Sequence, residues 1–200
     1  MYFMIKVNHL ELSFAEKLIF KDLSFSIEPG EKVCISGASG KGKSTILKML
    51  MAYVIPNQGT IEINKLQINP ENIKVIRNQM IWIPQNINLP VNNGLELMDL
   101  MEWSGQKNKV EELLLELGLA VSILSSDFSK ISGGQKQRII IAICLSMDKD
   151  IILMDEPTAS LDEDSIDQLI SCLSKFENKT MVSASHHSKW INSWDKNIAL

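Results

Sequence analysis

The run Gly37-Ala38-Ser39-Gly40-Lys41-Gly42-Lys43-Ser44-Thr45 fits G-x-x-x-x-G-K-[ST] at every position and follows the apolar stretch Val33-Cys34-Ile35. This is the feature that most narrows what the 200-residue chain can fold into. It predicts a strand over residues 31–36, a glycine-rich turn, and a helix over residues 44–52 whose amino end faces an anion. The residue types suit a triphosphate. Glycines let backbone N–H groups close around phosphate oxygens, Lys43 reaches the outer phosphates, and the Ser44 hydroxyl ligates magnesium. A nucleoside triphosphate with Mg2+ is therefore the expected ligand.

A chain of this length buries roughly 70% of its unfolded surface, so it needs neither disulfide nor metal to hold a core. The hydrophobic fraction of 45% and charged fraction of 22% are those of a globular protein and speak against disorder. Cys34, Cys144 and Cys172 have no paired spacing, which excludes a zinc motif or a disulfide frame and leaves buried small hydrophobes as the reading. The longest strongly apolar run, from Ile139 to Leu145, is far short of the ~20 residues that span a bilayer. The amino terminus lacks a secretion signal. A cytoplasmic protein is expected. A net charge of −4 without a Lys/Arg block argues against a nucleic-acid surface, and no nucleic acid is expected as partner.

The fold class is α/β. Alternating apolar residues suggest strands over 4–10 and 23–27, with a turn at Glu28-Pro29-Gly30, forming an antiparallel β layer beside the main sheet. A short strand over 59–63, a short helix over 70–77 and a buried strand over 80–83, ended by Pro84, follow. From about Ile87 to Leu124 the chain is Leu-rich and helical. Val110, Leu113, Leu114 and Leu117 share one helix face, and Gly118 can close that helix. Further on, a helix is expected over 134–147, a buried strand over 151–154, a helix over 163–176 with Ile166, Leu169, Ile170 and Leu173 on one face, and a last core strand over 181–185. This gives one domain, with a core of residues 1–86 and 148–200 and an inserted helical subdomain of residues 87–147.

In an open parallel sheet, ligands bind beyond the carboxyl ends of the strands. Four apolar runs end there in useful groups: the phosphate loop, Gln85, Asp155-Glu156 and His186. Asp155 can hold the magnesium, Glu156 can orient or deprotonate an attacking water, Gln85 can join the metal shell or sense the water, and His186 can hydrogen-bond the γ-phosphate. An ordinary solvated loop is the competing reading for the acidic pair, and a solvated imidazole for His186. Ser132-Gly133-Gly134-Gln135 opens a helix and makes either a second anion site or a plain turn and cap.

Taken together, in this order and spacing, these elements resemble the nucleotide-binding subunit of ATP-binding cassette (ABC) transporters over nearly the whole chain. The family's Walker A loop matches residues 37–45, its glutamine loop Gln85, its LSGGQ element Ile131-Ser132-Gly133-Gly134-Gln135, its Walker B strand residues 151–156, its D-loop Ala159-Ser160-Leu161-Asp162 and its switch histidine His186. The resemblance implies a P-loop NTPase core with a mainly parallel sheet, an antiparallel β subdomain and an inserted α-helical subdomain. It also implies hydrolysis of ATP to ADP and phosphate with Mg2+, in a pair of cassettes that join head to tail. ATP would lie between the Walker A loop of one copy and Ser132-Gly133-Gly134-Gln135 of the other.

By the same resemblance, dimer closure drives transport through separate membrane subunits, with this chain peripheral on the cytoplasmic face of the membrane. The family's adenine-stacking aromatic falls at Phe14, followed by Ala15-Glu16-Lys17, where a core phenylalanine is the competing reading. The stretch from Leu89 to Trp103, with Leu95, Leu97, Met98, Leu100 and Met101, is either a docking surface for those subunits or helical core. A soluble cassette ATPase acting on ribosomes or DNA is the alternative; such proteins carry two cassettes or a long coiled-coil insertion, and this sequence shows neither. Three positions depart from the family pattern. Ile131 replaces leucine, His187 stands where aspartate is common, and Lys41 occupies a place usually held by a small residue, either adding charge near the phosphates or pointing into water. The regulatory carboxyl-terminal extension of some importers is not expected.

Overall fold

The computed structural model describes residues 2–15, 17–85 and 90–200. In chain order its elements are β1 (Ile5–Phe14), β2 (Lys17–Ile27), β3 (Lys32–Ser36), α1 (Lys43–Leu50), β4 (Gln58–Ile63), β5 (Leu66–Gln67), α2 (Ile73–Asn78), β6 (Met80–Ile83), α3 (Gly94–Leu100), α4 (Lys107–Glu116), α5 (Gly133–Ser146), β7 (Ile151–Asp155), α6 (Glu163–Ser174), β8 (Thr180–Ser185), α7 (Ser188–Asn192) and β9 (Lys196–Ala199). They gather into two compact units. The first holds residues 1–82, 149–155 and 178–200; the second holds residues 83–148 and 156–177.

The first unit carries two sheets. Ile5, Val7, Leu10 and Leu12 are buried along β1 while Lys6 and His9 are exposed, so one face of the β1–β2 hairpin turns to the core. The alternation slips at His9, whose φ is 49: a bulge there shifts the pairing with β2 and brings Leu10 inward in its place. Both arms therefore run further than the alternation predicts, and the antiparallel sheet has the order β2-β1-β4-β5. The second sheet has the order β6-β7-β8-β3-β9, with β7, β8, β3 and β9 parallel. Its central strands are buried along their whole length, as expected of strands covered on both faces. One core joins the two sheets and α1, through Ile5, Ile27, Val33, Ile35, Leu47 and Val182.

Two elements differ from expectation. The helix predicted from Pro70 begins at Ile73, because the Asn69 side chain first accepts a hydrogen bond from the Asn72 N–H at 2.8 Å, and that local turn precedes the helix. The strand expected to be last, β8, is followed by α7 and β9. The short α7 buries Trp190, whose Nε1 donates to Ser183 Oγ at 2.9 Å, and returns the chain so that β9 pairs beside β3.

The second unit is helical. Val110, Leu114 and Leu117 of the α4 segment are fully buried, and α4 packs on α5 and α6. Of the stretch from Leu89 to Trp103, Leu89 and the preceding Ile87 lie outside the described residues, as does Glu16. Leu97 and Met98 are core, Leu100 is 60% exposed, and the Trp103 Nε1 donates to Ser146 Oγ at 2.9 Å. Among the described residues, no helix is long and apolar enough to cross a membrane.

Cys34, Cys144 and Cys172 are all buried. Burial pushes the Cys144 thiol up to about 12, and burial reinforced by a hydrogen bond with Glu116 pushes Cys172 up to about 12 as well. Both are therefore almost wholly protonated at neutral and mildly alkaline pH, where the thiolate needed for alkylation is scarce. At pH 8 the folded protein should react slowly with iodoacetamide at these two positions, and unfolding in urea should restore ordinary rates; mass spectrometry of the modified peptides checks this.

Candidate functional site

The phosphate loop leaves β3 after Ser36 and turns into α1 at Gly42. Its tight turn is closed by the Lys41 N–H donating to Ala38 O at 3.3 Å, and the helix starts with the Ile46 N–H bonding Gly42 O at 3.0 Å. The N–H groups of the first turn precede that bond and point outward along the helix axis, with the positive end of the helix dipole behind them. Gly42 cannot be replaced easily. Its φ is 96, and a Cβ there would come within 2.5 Å of Phe20 Cζ and 2.8 Å of Ile19 Cγ2.

The Lys43 side chain is 7% exposed and curls over the loop, its Nζ donating to Gly37 O at 2.9 Å and Ala38 O at 3.4 Å. Ser44 Oγ donates to Asp155 Oδ1 at 2.8 Å, and Asp155 is 4% exposed. The register explains this meeting. Ser36 pairs with Ser185 across β3 and β8, and Ala184 pairs with Asp155 across β8 and β7, so the ends of three parallel strands lie at one rim. His186 is exposed, one residue beyond β8. A hydroxyl and a carboxylate within hydrogen-bond distance of each other are two hard oxygen donors, a pair that fits Mg2+.

Beside the loop, a groove of about 310 Å3 is lined by Lys17, Leu18, Ile19, Ser39, Gly40 and Lys41. Lys41 is exposed and lines this groove, which fits either reading of that position. Phe14 ends β1 opposite Lys17 and is 51% exposed, so it is not a core phenylalanine, and it does not line the groove. Thr45 is half-buried in the first turn of α1, and Ala38 and Ser39 are exposed at the loop's tip.

The second unit holds the other predicted residues. Gln85 is exposed just after Pro84. Glu156 follows Asp155 in the chain, is 8% exposed and has a φ of 47, a left-handed conformation that costs a non-glycine residue about 1–3 kcal/mol. The Ala159 N–H donates to Glu156 O at 3.2 Å, closing a turn around Pro157. Ser132 and Gly133 are exposed at the start of α5, and Gly134 is buried. Ser132 is the N-cap: its Oγ accepts from the Gln135 N–H at 3.2 Å, and the Ser132 N–H donates to Gln135 Oε1 at 3.0 Å. Arg138, which no motif singles out, braces this turn. Its Nη1 donates to Leu117 O at 2.9 Å and its Nε to Gly134 O at 3.4 Å. Only the i, i+4 spacing from Gly134 hinted at that.

A glycine-rich loop between a parallel strand and a helix, with another strand of the same sheet delivering an aspartate to the helix's hydroxyl, defines a P-loop nucleotide-binding fold. The sequence profile of the ABC transporter family matches residues 20–159. The energy-coupling factor transporter ATP-binding protein EcfA2 of Staphylococcus epidermidis is 33% identical over 182 residues, 83% of this chain and 63% of the relative. The arginine transport ATP-binding protein ArtM of Bacillus subtilis is 35% identical over 196 residues, 92% of this chain and 81% of the relative. Among solved structures, a bacterial Atm1-family ABC exporter with ATP bound matches 98% of this chain and 36% of its own at a TM-score of 0.87 and 25% identity. A dimer of the ATP-binding cassette MJ0796, in a post-hydrolysis state bound to ADP and Pi, matches 98% of this chain and 94% of its own at a TM-score of 0.85 and 26% identity. This chain belongs to the ABC transporter family. It spans 63% of the length of the Staphylococcus relative.

Replacing Gly42 by alanine should lower unfolding stability by about 2 kcal/mol, since the left-handed φ and the clash with the buried Phe20 ring act together. Urea denaturation of the G42A variant measures it.

Proposed function

We propose that this chain is an ATP-hydrolysing subunit of a membrane transporter, acting as one of a pair of cassettes and coupled to separate membrane subunits on the cytoplasmic face. The observation that supports the reading is the bond between Ser44 and Asp155, two oxygen groups suited to a metal ion, beside a glycine-rich loop whose lysine bonds the loop carbonyls. Relatives named as transport ATP-binding proteins, and a cassette bound to ADP and Pi as a dimer, support it.

In this mechanism the loop from Gly37 to Gly42 and the first-turn N–H groups of Lys43, Ser44 and Thr45 bind phosphate oxygens. The Lys43 ammonium exchanges its two loop carbonyls for the outer phosphates, keeping its charge-assisted bonds throughout. Ser44 and Asp155 would hold Mg2+, with Gln85 proposed for the same shell, and the metal when bound would neutralise charge on the phosphates. Glu156 orients the attacking water and takes its proton, and His186 donates a hydrogen bond to the γ-phosphate. Phe14, exposed at the end of β1, offers a ring to the base. Ser132, Gly133, Gly134 and Gln135 meet the nucleotide of the neighbouring copy, which gives an exposed N-cap serine a use beyond capping. Closure of the pair on ATP, and its reopening after hydrolysis, is the motion handed to the membrane subunits.

Replacing Glu156 by glutamine preserves shape while removing the base, so phosphate release should fall by at least roughly a hundredfold with ATP affinity kept. Steady-state phosphate release and binding of a fluorescent ATP analogue separate the two; normal turnover would remove Glu156 from this role. Lys43→Ala should weaken ATP binding by roughly tenfold or more through loss of the charged contact. Titration with the same analogue decides that, and an unchanged affinity would count against the loop as the phosphate site.

A further inference from the structure

Lys41 is the position of the phosphate loop at which the sequence departs from the family pattern, and the fold sets a second lysine across from it. The groove of about 310 Å3 beside the loop has two walls, Ser39, Gly40 and Lys41 at the loop's tip and Lys17, Leu18 and Ile19 on β2. The loop is anchored on that strand at one end only. A Cβ at Gly42 would come within 2.8 Å of Ile19 Cγ2, whereas a Cβ at Gly40 would meet nothing within 4 Å. The tip therefore stands clear of β2, and the gap between them is open. Each wall contributes an exposed lysine, and neither contributes an acidic side chain. Among the described residues, neither ammonium is held in an ion pair. Two like charges on facing walls repel each other and are both relieved when an anion enters between them.

We propose that Lys41 and Lys17 clamp the phosphate of the bound nucleotide that lies nearest its sugar. The inference rests on the reading above, with the phosphates at the loop and the base at Phe14. Phe14 pairs with Lys17 at the end of the first hairpin, so a nucleotide that runs from the loop to that ring crosses the groove. Its outer phosphates stay with Lys43 and the N–H groups of the first turn, its sugar lies along Leu18 and Ile19, and the phosphate between them comes under the two ammoniums. The two lysines of the loop thus serve different phosphates. Lys43 is buried and curls inward onto Gly37 O and Ala38 O, whereas Lys41 is exposed and lines the outer side. A lysine is a point charge on a flexible stem, so the contribution of Lys41 is Coulombic: an arginine keeps it, a serine loses it, and salt screens it.

The test measures the affinity of unlabelled ADP and ATP by calorimetry in the full chain, for K41S, K41R, K17S and the double variant K41S/K17S, with Lys43→Ala as the reference for the loop. Label-free nucleotides are needed because a group attached to the ribose would occupy the groove. At low salt K41S and K17S should each weaken ADP and ATP alike by roughly threefold to fivefold, and the double variant by roughly tenfold, as expected of exposed charge pairs. Between about 50 mM and about 0.5 M salt the starting protein should lose affinity more steeply than the double variant, so that the two converge. K41R should bind as the starting protein does. If the serine variants bind ADP with unchanged affinity and salt dependence while Lys43→Ala binds weakly, the clamp is overturned and the phosphate loop stands. An effect on ATP without one on ADP would move Lys41 to the outermost phosphate and overturn the assignment, and a K41R as weak as K41S would show that shape and not charge is at work, which also overturns it. If Lys43→Ala leaves affinity unchanged as well, the reading of the loop fails and the clamp fails with it.

Discussion

Parallel pairing of β7, β8 and β3 is the constraint from which the phosphate site follows. Each strand is short, and only the register in which Ser36 faces Ser185 and Ala184 faces Asp155 brings their carboxyl ends to a common rim. A slip of one residue would turn Asp155 to the opposite face of the sheet, away from Ser44. The hydrogen bond between these two residues joins positions 111 apart in the chain, so a local motif becomes a site only through tertiary structure. Asp155 is almost fully buried, and the hydrogen bond from the Ser44 hydroxyl at the helix start offsets part of the cost of burying its carboxylate.

The two helix starts proposed to meet phosphate, those of α1 and α5, are made differently. At α1 the entry residue is Gly42 in a left-handed conformation, without a side-chain cap. The backbone itself wraps, and the nearby side chains of Phe20 and Ile19 close off the space a larger residue would need. At α5 the entry residue is a serine with extended backbone and a reciprocal side-chain box. The first arrangement leaves N–H groups to surround a ligand; the second occupies its serine oxygen with the cap and leaves that residue exposed. That contrast suits a deep cradle in one case and a single exposed contact in the other.

Much of this was legible in the sequence because chemistry limits spacing. A loop that must follow phosphate oxygens tolerates few patterns, and Gly37 to Thr45 shows one of them, so strand, turn and helix could be placed around it. The acidic pair after Met154 was legible for the same reason, as an apolar run ending in charge. The left-handed backbone of Glu156 was not, since it is set by the turn that follows. The outer halves of the first hairpin were hidden by the bulge at His9, which interrupts the period-two pattern on which strand reading depends. The strand β9 was hidden because Lys196-Asn197-Ile198-Ala199 carries a single large apolar residue; its pairing is dictated by the buried edge of β3, a fact of tertiary structure. The brace of Arg138 on Leu117 and Gly134, and the approach of Ser160 to Gly134, join residues from separate segments and leave no periodic trace.

The interleaving of the two units also bears on how this protein is made. The strand that feeds the phosphate loop is synthesised well before both of its neighbours in the sheet, β8 and β9. The bond between the Gly30 N–H and Thr180 Oγ1 alone spans 150 residues. While the ribosome is still adding the helices of the second unit, β3 has no lateral partners from this sheet. Its apolar edges must then be sheltered by early hairpin packing or by chaperones. The sheet around the phosphate loop is thus completed only after β8 and β9 have been made.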